Sequence, residues 1–209
     1  MPFRSARPHL LSVLLLTLIV SLFPVRAGAD APSELPSLEE FSAAIRNGDA
    51  QALRGIYIPE LLAAEVVPQP EEDPAFVSSQ ENTLTQFRMA EEAGSTGLLA
   101  HNYLAGDAFF QMEEGQVFFL VYGDGRTEVF VVKRILRFRA LDPDSVWSNF
   151  IDLRNAHLIS ASHLFSKVYA QPGHVILQTC IQVGEESSWG RLFIDAVPYP
   201  EDLSTEDLE

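Results

Sequence analysis

Two β-rich runs joined by a glycine turn constrain the fold of this chain more than any other feature of its sequence. Residues 116–122 and 127–141 are rich in valine, isoleucine and aromatic side chains, and Gly123-Asp124-Gly125 lies between them. Because glycine readily adopts the positive φ angles that a tight turn requires, this pattern predicts a β-hairpin. A length of 209 residues corresponds to about one domain, so we expect a single, mainly β domain.

The side chains of the second run alternate between apolar and basic. Successive residues of a strand point to opposite faces, so the sequence predicts one apolar and one basic face. The predicted apolar face is Phe130, Val132, Leu136 and Phe138, and the predicted basic face is Lys133, Arg137 and Arg139. The basic set is interpreted as a solvated strand face rather than a carboxylate-binding surface, and it is assigned no function.

A short amphipathic helix is predicted ahead of this β-rich body. Residues 37–40, with the sequence Ser-Leu-Glu-Glu, match a helix-capping box. Leu38, Phe41 and Ile45 then recur at helical spacing, and Asn47-Gly48 is a stop signal. The helix would pack its apolar face against the larger body.

The remaining elements are predicted from shorter signals. Before the hairpin we expect, in chain order, a strand over 55–67, a proline-rich loop over 68–74, a helix over 83–93, a strand over 97–101 and a helical turn over 109–114. After it we expect one or two helices within 146–171, a strand over 174–180, a loop over 185–188 and a final strand over 190–197.

The first 29 residues have the order of a secretory signal. Arg4 and Arg7 precede an uncharged apolar run over 10–23, and Ala27-Gly28-Ala29 supplies small residues for cleavage. The alternative is an uncleaved membrane anchor, which would associate the protein with the membrane through residues 10–23. That run is shorter than the roughly 20 residues needed to cross the hydrocarbon core, so cleavage near Ala29 is favoured.

The charge balance of the chain argues against a nucleic-acid partner. Removal of residues 1–29 leaves 11 basic and 29 acidic side chains, a net charge of about −18. Phosphate binding requires a basic footprint, which this composition does not provide.

The chain contains one cysteine, Cys180, which an exported protein cannot use for an internal disulfide. Such a thiol is buried and inert, paired between molecules, or reactive. Taken alone, the inert interpretation is the more common one.

Three residues capable of joint chemistry lie at the ends of predicted strands. His101 follows the apolar residues 97–100, Cys180 ends the strand that contains Leu177-Gln178-Thr179, and Arg191 begins the next strand. If the last two strands are neighbours, Cys180 and Arg191 lie at the same end of a sheet.

These contexts resemble the sortase family of cysteine transpeptidases. The resemblance consists of a histidine after a short apolar strand, a hairpin with a glycine turn, a strand ending in Thr179-Cys180 and a following strand that opens with Arg191-Leu192. It covers approximately Gly97 to Val197, with weaker agreement over Arg54 to Val67. The fold that it implies is a sortase-like closed β-barrel with short peripheral helices.

The chemistry of a transpeptidase gives each of the three residues a separate role. A thiol can attack a peptide carbonyl and hold the acyl group as a thioester, the role expected of Cys180. An imidazole that titrates near neutrality can protonate the departing amine and deprotonate the incoming one, the role expected of His101. A guanidinium can oppose the negative charge of the tetrahedral intermediate, the role expected of Arg191. No cofactor and no metal is required.

The resemblance also implies partners and a location. The substrate would be a sorting-signal peptide near the C-terminus of another exported protein, cut between threonine and glycine. The acceptor would be an amine on the cell envelope or on a protein subunit, and water as acceptor would make the same site a peptidase. We therefore expect an extracytoplasmic protein, either secreted or associated with the cell envelope.

The resemblance further predicts how the chain is divided. Residues 1–29 are the signal peptide, 30–54 a helical lead-in, 55–198 the catalytic domain and 199–209 an acidic C-terminal tail. Two alternatives stay open at this point: a noncatalytic envelope-binding module with the same barrel, and an exported partner-binding domain in which Cys180 lies far from His101 and Arg191.

Other polar residues carry weaker signals. Thr179 is a candidate substrate contact, although a simple strand position is the favoured interpretation. His157, His163 and His174 lack the spacing of metal ligands. Glu113-Glu114 and Glu185-Glu186 are interpreted as solvated loop charges rather than calcium ligands.

Overall fold

The computed structural model describes residues 35–200. The predicted signal peptide and nearly all of the predicted acidic tail lie outside these residues, and the division of the chain into four parts stays a prediction. Within residues 35–200, none of the helices has the length and apolar character that crossing a membrane requires.

Ten strands, three α-helices and one 3-10 helix make up this part of the chain. The strands are β1 Leu53–Ile58, β2 Leu62–Pro68, β3 Thr83–Phe87, β4 Thr96–Leu99, β5 Val117–Tyr122, β6 Thr127–Ala140, β7 Phe150–Asp152, β8 Leu158–Ile159, β9 Val175–Val183 and β10 Glu186–Pro198. The helices are α1 Leu38–Ile45, α2 Arg88–Glu92, α3 Ala161–Tyr169 and the 3-10 helix Ala105–Gln111.

Eight of these strands close into a barrel. The order is β10-β9-β4-β3-β2-β1-β5-β6, and β6 pairs back onto β10. The pairs β2–β3 and β4–β9 are parallel, and the other neighbours in the barrel are antiparallel. Strands β7 and β8 extend the sheet beyond β6. The expected mainly β fold, a closed barrel with short peripheral helices, is confirmed.

The barrel has an apolar interior and a second apolar layer on one part of its outer face. Ile58, Phe118 and Leu177 are among the fully buried side chains of the interior. On the outside, α2 and α3 cover a separate cluster that includes Ile176 of β9 and Phe193 of β10. On β9, Ile176 therefore points to the outside of the barrel and Leu177 points to the interior.

Two sequence predictions hold closely. Ser37 caps α1 through a capping box with Glu40, and Phe41 and Ile45 are buried against the barrel. The hairpin forms between β5 and β6, with Gly125 at a φ of 91° in the turn. Both features depend on local chemistry, namely capping and positive-φ turn residues, which the sequence displays directly.

Two predicted elements before the hairpin are wrong. The single strand over 55–67 is a hairpin of β1 and β2, which turns at Glu60 with a φ of 64°. The helix over 83–93 is strand β3 followed by the five-residue helix α2. Long-range pairing of β3 with β2 and β4 overrides the apparent helical spacing, and the β-branched Thr83 and Thr85 fit a strand. The helical turn predicted at 109–114 is displaced to the 3-10 helix.

The predicted apolar face of β6 is also wrong, because the strand contains a bulge. Phe130 and Val132 pack into the barrel interior, whereas Leu136 and Phe138 belong to the outer cluster. The pairing with β10 shifts near Lys133, where one extra residue reverses the side-chain alternation. The three residues of the predicted basic face are each exposed, but the same reversal places Lys133 on the opposite face from Arg137 and Arg139, so they do not form a single face.

A buried carboxylate links β6, β10 and the segment before β9. Asp195 is fully buried, with Oδ2 2.6 Å from Nε of Arg134 and Oδ1 2.6 Å from Nδ1 of His174. Burying a charge is costly unless it is paired and hydrogen-bonded, and both carboxylate oxygens have a partner here. Asp195 therefore connects the strand of Arg191 to its neighbours on the outer face.

Asp195→Ala is expected to lower the free energy of unfolding by about 3–5 kcal/mol, because it leaves Arg134 and His174 without their shared acceptor. Urea denaturation measures the loss. Asp144→Ala removes an exposed carboxylate and serves as the control, with an expected change below about 0.5 kcal/mol. A loss for Asp195→Ala as small as that of the control would contradict the structural role assigned to this carboxylate.

Candidate active site

Cys180 and Arg191 are direct neighbours across two antiparallel strands. In the pairing of β9 with β10, Cys180 lies opposite Arg191, and Gln178 lies opposite Phe193. Phe193 belongs to the outer apolar cluster, and the register runs without interruption between these pairs. Side chains at alternate positions share a face, so Cys180 and Arg191 both point to the outside of the barrel. Both are partly exposed.

His101 reaches the same face from the other side of β9. Strand β4 runs parallel to β9, with Leu99 opposite Gln178, and the backbone N–H of Ala100 donates to the carbonyl of Gln178 at 3.1 Å. Continuing this register by two residues brings His101 level with Cys180. Ala100 packs into the barrel interior, so the next residue, the partly exposed His101, points outward.

Cys180 and Arg191 thus pair across β9 and β10, and the register continued from β4 places His101 on the other side of Cys180; we call these three residues the His–Cys–Arg row. Neighbouring strands are about 4.8 Å apart, a spacing at which adjacent side chains on one face can interact. The row lies just beyond the outer apolar cluster, where β9 leaves the cover of α3. A thiol flanked by an imidazole and a guanidinium on a partly exposed face is equipped for nucleophilic chemistry.

Backbone carbonyls hold the guanidinium of Arg191 in place. One terminal nitrogen donates to the carbonyls of Ser188 at 2.8 Å and Gly190 at 2.9 Å, and the other lies 3.5 Å from the carbonyl of Pro143. Within residues 35–200, Arg191 forms no ion pair. The guanidinium of the residue paired with Cys180 is thus held in place without a neutralising carboxylate from this part of the chain, which suits the stabilisation of an anion.

Ser188 joins Cys180 and Arg191 and was not predicted as a site residue. Its hydroxyl lies 4.0 Å from Sγ of Cys180, and its carbonyl accepts from Arg191. The predicted loop over 185–188 is instead mostly the beginning of β10, because a register shift between Glu186 and Gly190 inserts extra residues opposite β9. The bulge turns Ser188 toward the thiol. No sequence signal indicates it.

Tyr103 covers the imidazole of His101. The two rings are stacked, with centroids 5.1 Å apart and an angle of 18° between their planes, while Tyr103 is 67% exposed. A large exposed aromatic residue commonly marks a binding surface, and here it also limits the orientations of the imidazole. Sequence reasoning missed Tyr103, although its position two residues after His101 was visible.

Tyr103→Ala is expected to free the His101 ring, because the aromatic contact contributes about 0.5–1.5 kcal/mol. The imidazole ¹H–¹³C NMR signals of His101 should then shift and broaden, while those of His157 and His163 stay unchanged. Tyr103→Phe keeps the stacked ring and should retain the wild-type line width and ring-current shift. If the alanine variant also leaves the His101 signal unchanged, Tyr103 does not orient this histidine.

The hydrogen-bonded pair Gln178 and Tyr169 lies between the His–Cys–Arg row and the outer apolar cluster. Gln178, two residues before Cys180 on the same face, accepts a hydrogen bond from the hydroxyl of Tyr169 at the end of α3. Burial raises the pKa of the Tyr169 phenol, so the hydroxyl keeps its proton at physiological pH and remains a donor. The pair thus ties α3 to the strand that carries the candidate nucleophile.

Thr179 faces away from the row. Its side chain is 2% exposed, and its hydroxyl donates to the carbonyl oxygen of Ala100 at 2.8 Å. This geometry favours a role in holding the strands over direct contact with a substrate.

Two surface pockets, of about 330 and 310 Å³, lie at one end of the barrel. The second reaches Tyr103, but neither is lined by Cys180 or Arg191. The row instead lies on a partly exposed strand surface, a shape that suits an extended peptide better than a compact ligand. Within residues 35–200, no cluster of three or more histidine, cysteine, aspartate or glutamate side chains is arranged to hold a metal ion.

Comparisons with known proteins gave structural matches alone. No protein-family model matches the sequence, and no curated protein matches it significantly. Among solved structures, sortase C1 from Streptococcus suis is similar at 14% identity and a TM-score of 0.49, over 81% of each chain. Sortase C-1 from Actinomyces oris is similar at 16% identity and a TM-score of 0.45, over 80% of this chain and 83% of that one.

A third similar structure is sortase A from Corynebacterium diphtheriae, at 14% identity and a TM-score of 0.49, over 76% of this chain and 66% of that one. These solved structures come from the family that the sequence resembles.

Proposed function

We propose that this chain is an exported cysteine transpeptidase of the sortase type. Cys180 is the nucleophile, His101 the general acid and base, and Arg191 the group that stabilises the reacting carbonyl. The observation that supports this function is the His–Cys–Arg row, in which Cys180 pairs with Arg191 across β9 and β10 and His101 follows two residues after the last pair of β4 with β9. Each of the three is partly exposed, so a substrate can reach all of them.

The first half of the reaction forms a thioester. The thiolate of Cys180 attacks the carbonyl carbon of the scissile peptide bond, and the electron pair of the carbonyl moves to oxygen. Arg191 opposes the resulting negative charge through a guanidinium already held by backbone carbonyls, so little reorganisation is needed. The C–N bond then breaks, and His101 gives a proton to the departing amine.

The second half transfers the acyl group. An incoming amine attacks the thioester carbonyl and loses a proton to His101. Arg191 again stabilises the tetrahedral intermediate, the C–S bond breaks, and Cys180 leaves as a thiolate. Water in place of the amine gives hydrolysis by the same steps.

The proposed substrate is a sorting-signal peptide of another exported protein, with cleavage between threonine and glycine. The proposed acceptor is an amine on the cell envelope or on a protein subunit. Both proposals come from the sequence resemblance, and the partly exposed strand surface around Cys180 supports a peptide substrate. An extracytoplasmic location is proposed on the same grounds, together with the predicted signal peptide over 1–29.

The test is incubation of the protein with a panel of peptides that each contain one Thr-Gly bond, with hydroxylamine or a lysine-containing peptide as the amine. Mass spectrometry should detect a new amide or hydroxamate at the threonine carbonyl. The product should depend on Cys180, His101 and Arg191 and should not depend on the exposed His163. Absence of cleavage and transfer across a diverse panel would contradict the proposal and favour the noncatalytic alternative.

A further inference from the structure

A hydrogen bond between β9 and the residue that follows β4 holds the backbone next to His101. The ladder of these two strands ends at Leu99 and Gln178, just before His101. At this point the hydroxyl of Thr179 donates to the carbonyl of Ala100 at 2.8 Å, within the barrel interior. The residue before the candidate nucleophile thus binds the residue before the candidate acid and base.

The carbonyl of His101 is fixed separately by the 3-10 helix. It accepts from the backbone N–H groups of Leu104 at 3.0 Å and Gly106 at 3.1 Å. These bonds fold the chain back immediately after the histidine, so that the helix lies against β9. The peptide units on both sides of the His101 Cα atom are therefore hydrogen-bonded.

Gly106 allows these two contacts to coexist. A Cβ atom at this position would collide with Oγ1 of Thr179 and would lie 2.7 Å from the carbonyl oxygen of His101 and 2.9 Å from Cβ of Thr179. Its φ is not in the left-handed region, so the need for glycine is one of space rather than of backbone conformation. Backbone and a buried β-branched side chain cannot move aside cheaply.

We infer that Thr179 and Gly106 are positioning residues for His101, and that together they set its register against Cys180. Thr179 links the two strands, and Gly106 leaves the space in which that link and the His101 turn fit. Both residues act through the position of His101 and not by contact with substrate. The inference rests on the proposed function, since it assigns the two residues a role in aligning the reactive pair.

The alignment matters because proton transfer and thiol attack depend steeply on distance, and a displacement of about 1 Å can cost about 100-fold in rate. Loss of the Thr179 hydroxyl would leave the buried carbonyl of Ala100 without this donor and allow the end of β4 to shift. Thr179→Val has nearly the same shape and removes the hydroxyl, whereas Thr179→Ser keeps it. This pair of variants separates the hydrogen bond from packing.

The experiment measures two properties of the full chain at one temperature below all unfolding transitions. One is the rate of Cys180 alkylation by iodoacetamide at fixed pH, and the other is the imidazole NMR signal of His101. We expect Thr179→Val and Gly106→Ala to lower the rate roughly tenfold and to shift the His101 signal. Thr179→Ser should restore both to near wild-type values.

Thr85→Val is the matched control. Thr85 lies on β3, the strand next to β4, and is equally buried. Its hydroxyl accepts from the backbone N–H of Ser78 at 2.8 Å. This variant should lower stability like Thr179→Val without changing alkylation or the His101 signal. If both valine variants slow alkylation equally, or if neither does, the positioning role is overturned.

His101→Ala separates this inference from the proposed function. If removal of the imidazole slows alkylation but Thr179→Val does not, the positioning inference fails and the proposed function stands. If removal of the imidazole leaves alkylation unchanged, His101 does not assist Cys180 and the proposed function fails with it.

Discussion

Replacement of Cys180 by alanine is expected to lower transpeptidation by at least about 10³-fold, because no acyl-enzyme can form without the thiol. Cys180 is partly exposed on the outer face of β9, so the loss of its sulfur leaves no large cavity. The midpoint of thermal unfolding should therefore change little. Amine-dependent product formation and differential scanning calorimetry measure the two effects on the same preparation.

Cys180→Ser tests the chemistry more strictly. Serine has nearly the same shape as cysteine and places a hydroxyl where the thiol was. A hydroxyl is a much weaker nucleophile than a thiolate at neutral pH. Activity should fall nearly as far as in the alanine variant. Substantial turnover by Cys180→Ala would show that the thiol is not the nucleophile, and a large drop in the unfolding midpoint would indicate a structural role for it.

His101→Gln is expected to lower the rate constant kcat by about 10²–10⁴-fold, the usual contribution of general acid and base catalysis. Glutamine retains a planar polar group beneath Tyr103 but cannot exchange a proton near neutral pH. The value of KM should change much less than kcat, because the imidazole takes part in proton transfer in the transition state rather than in substrate binding. Steady-state kinetics with a cleaved peptide separate the two constants.

The exposed His163 on α3 provides the control for this variant. His163→Gln should retain wild-type kcat. Added imidazole should restore a measurable part of the activity of His101→Gln, since a diffusible base can replace the missing proton carrier. Equal kcat values for the two glutamine variants would exclude His101 as the acid and base.

The fold was predictable where the signals are local. The capping box of α1 and the glycine turn between β5 and β6 each specify their structure over a few residues. Strand β3 was missed because its identity depends on pairing with β2 and β4, which the spacing of its own residues does not reveal. The bulge near Lys133 was missed for a similar reason, since one inserted residue reverses a face without a sequence signature.

In the candidate site too, some features could be predicted from local sequence signals and others could not. The pairing of Cys180 with Arg191 follows from two successive strands joined by a short turn, which the sequence indicates. The place of His101 depends on the parallel pairing of β4 with β9, which are separated in sequence by four strands, the 3-10 helix and α3, so the spacing of residues could not give it. Ser188 and Gly106 acquire their roles only from three-dimensional proximity.

The most direct test of the His–Cys–Arg row is a disulfide across β4 and β9. Cysteines form a disulfide readily when their Cα atoms are about 4.4–6.8 Å apart, and neighbouring strands are about 4.8 Å apart. On mild oxidation, His101→Cys should form an intramolecular bond with Cys180, detectable by peptide mapping, whereas Ala100→Cys, on the inner face, should not. Two free thiols in oxidised His101→Cys would mean that His101 and Cys180 do not share this face.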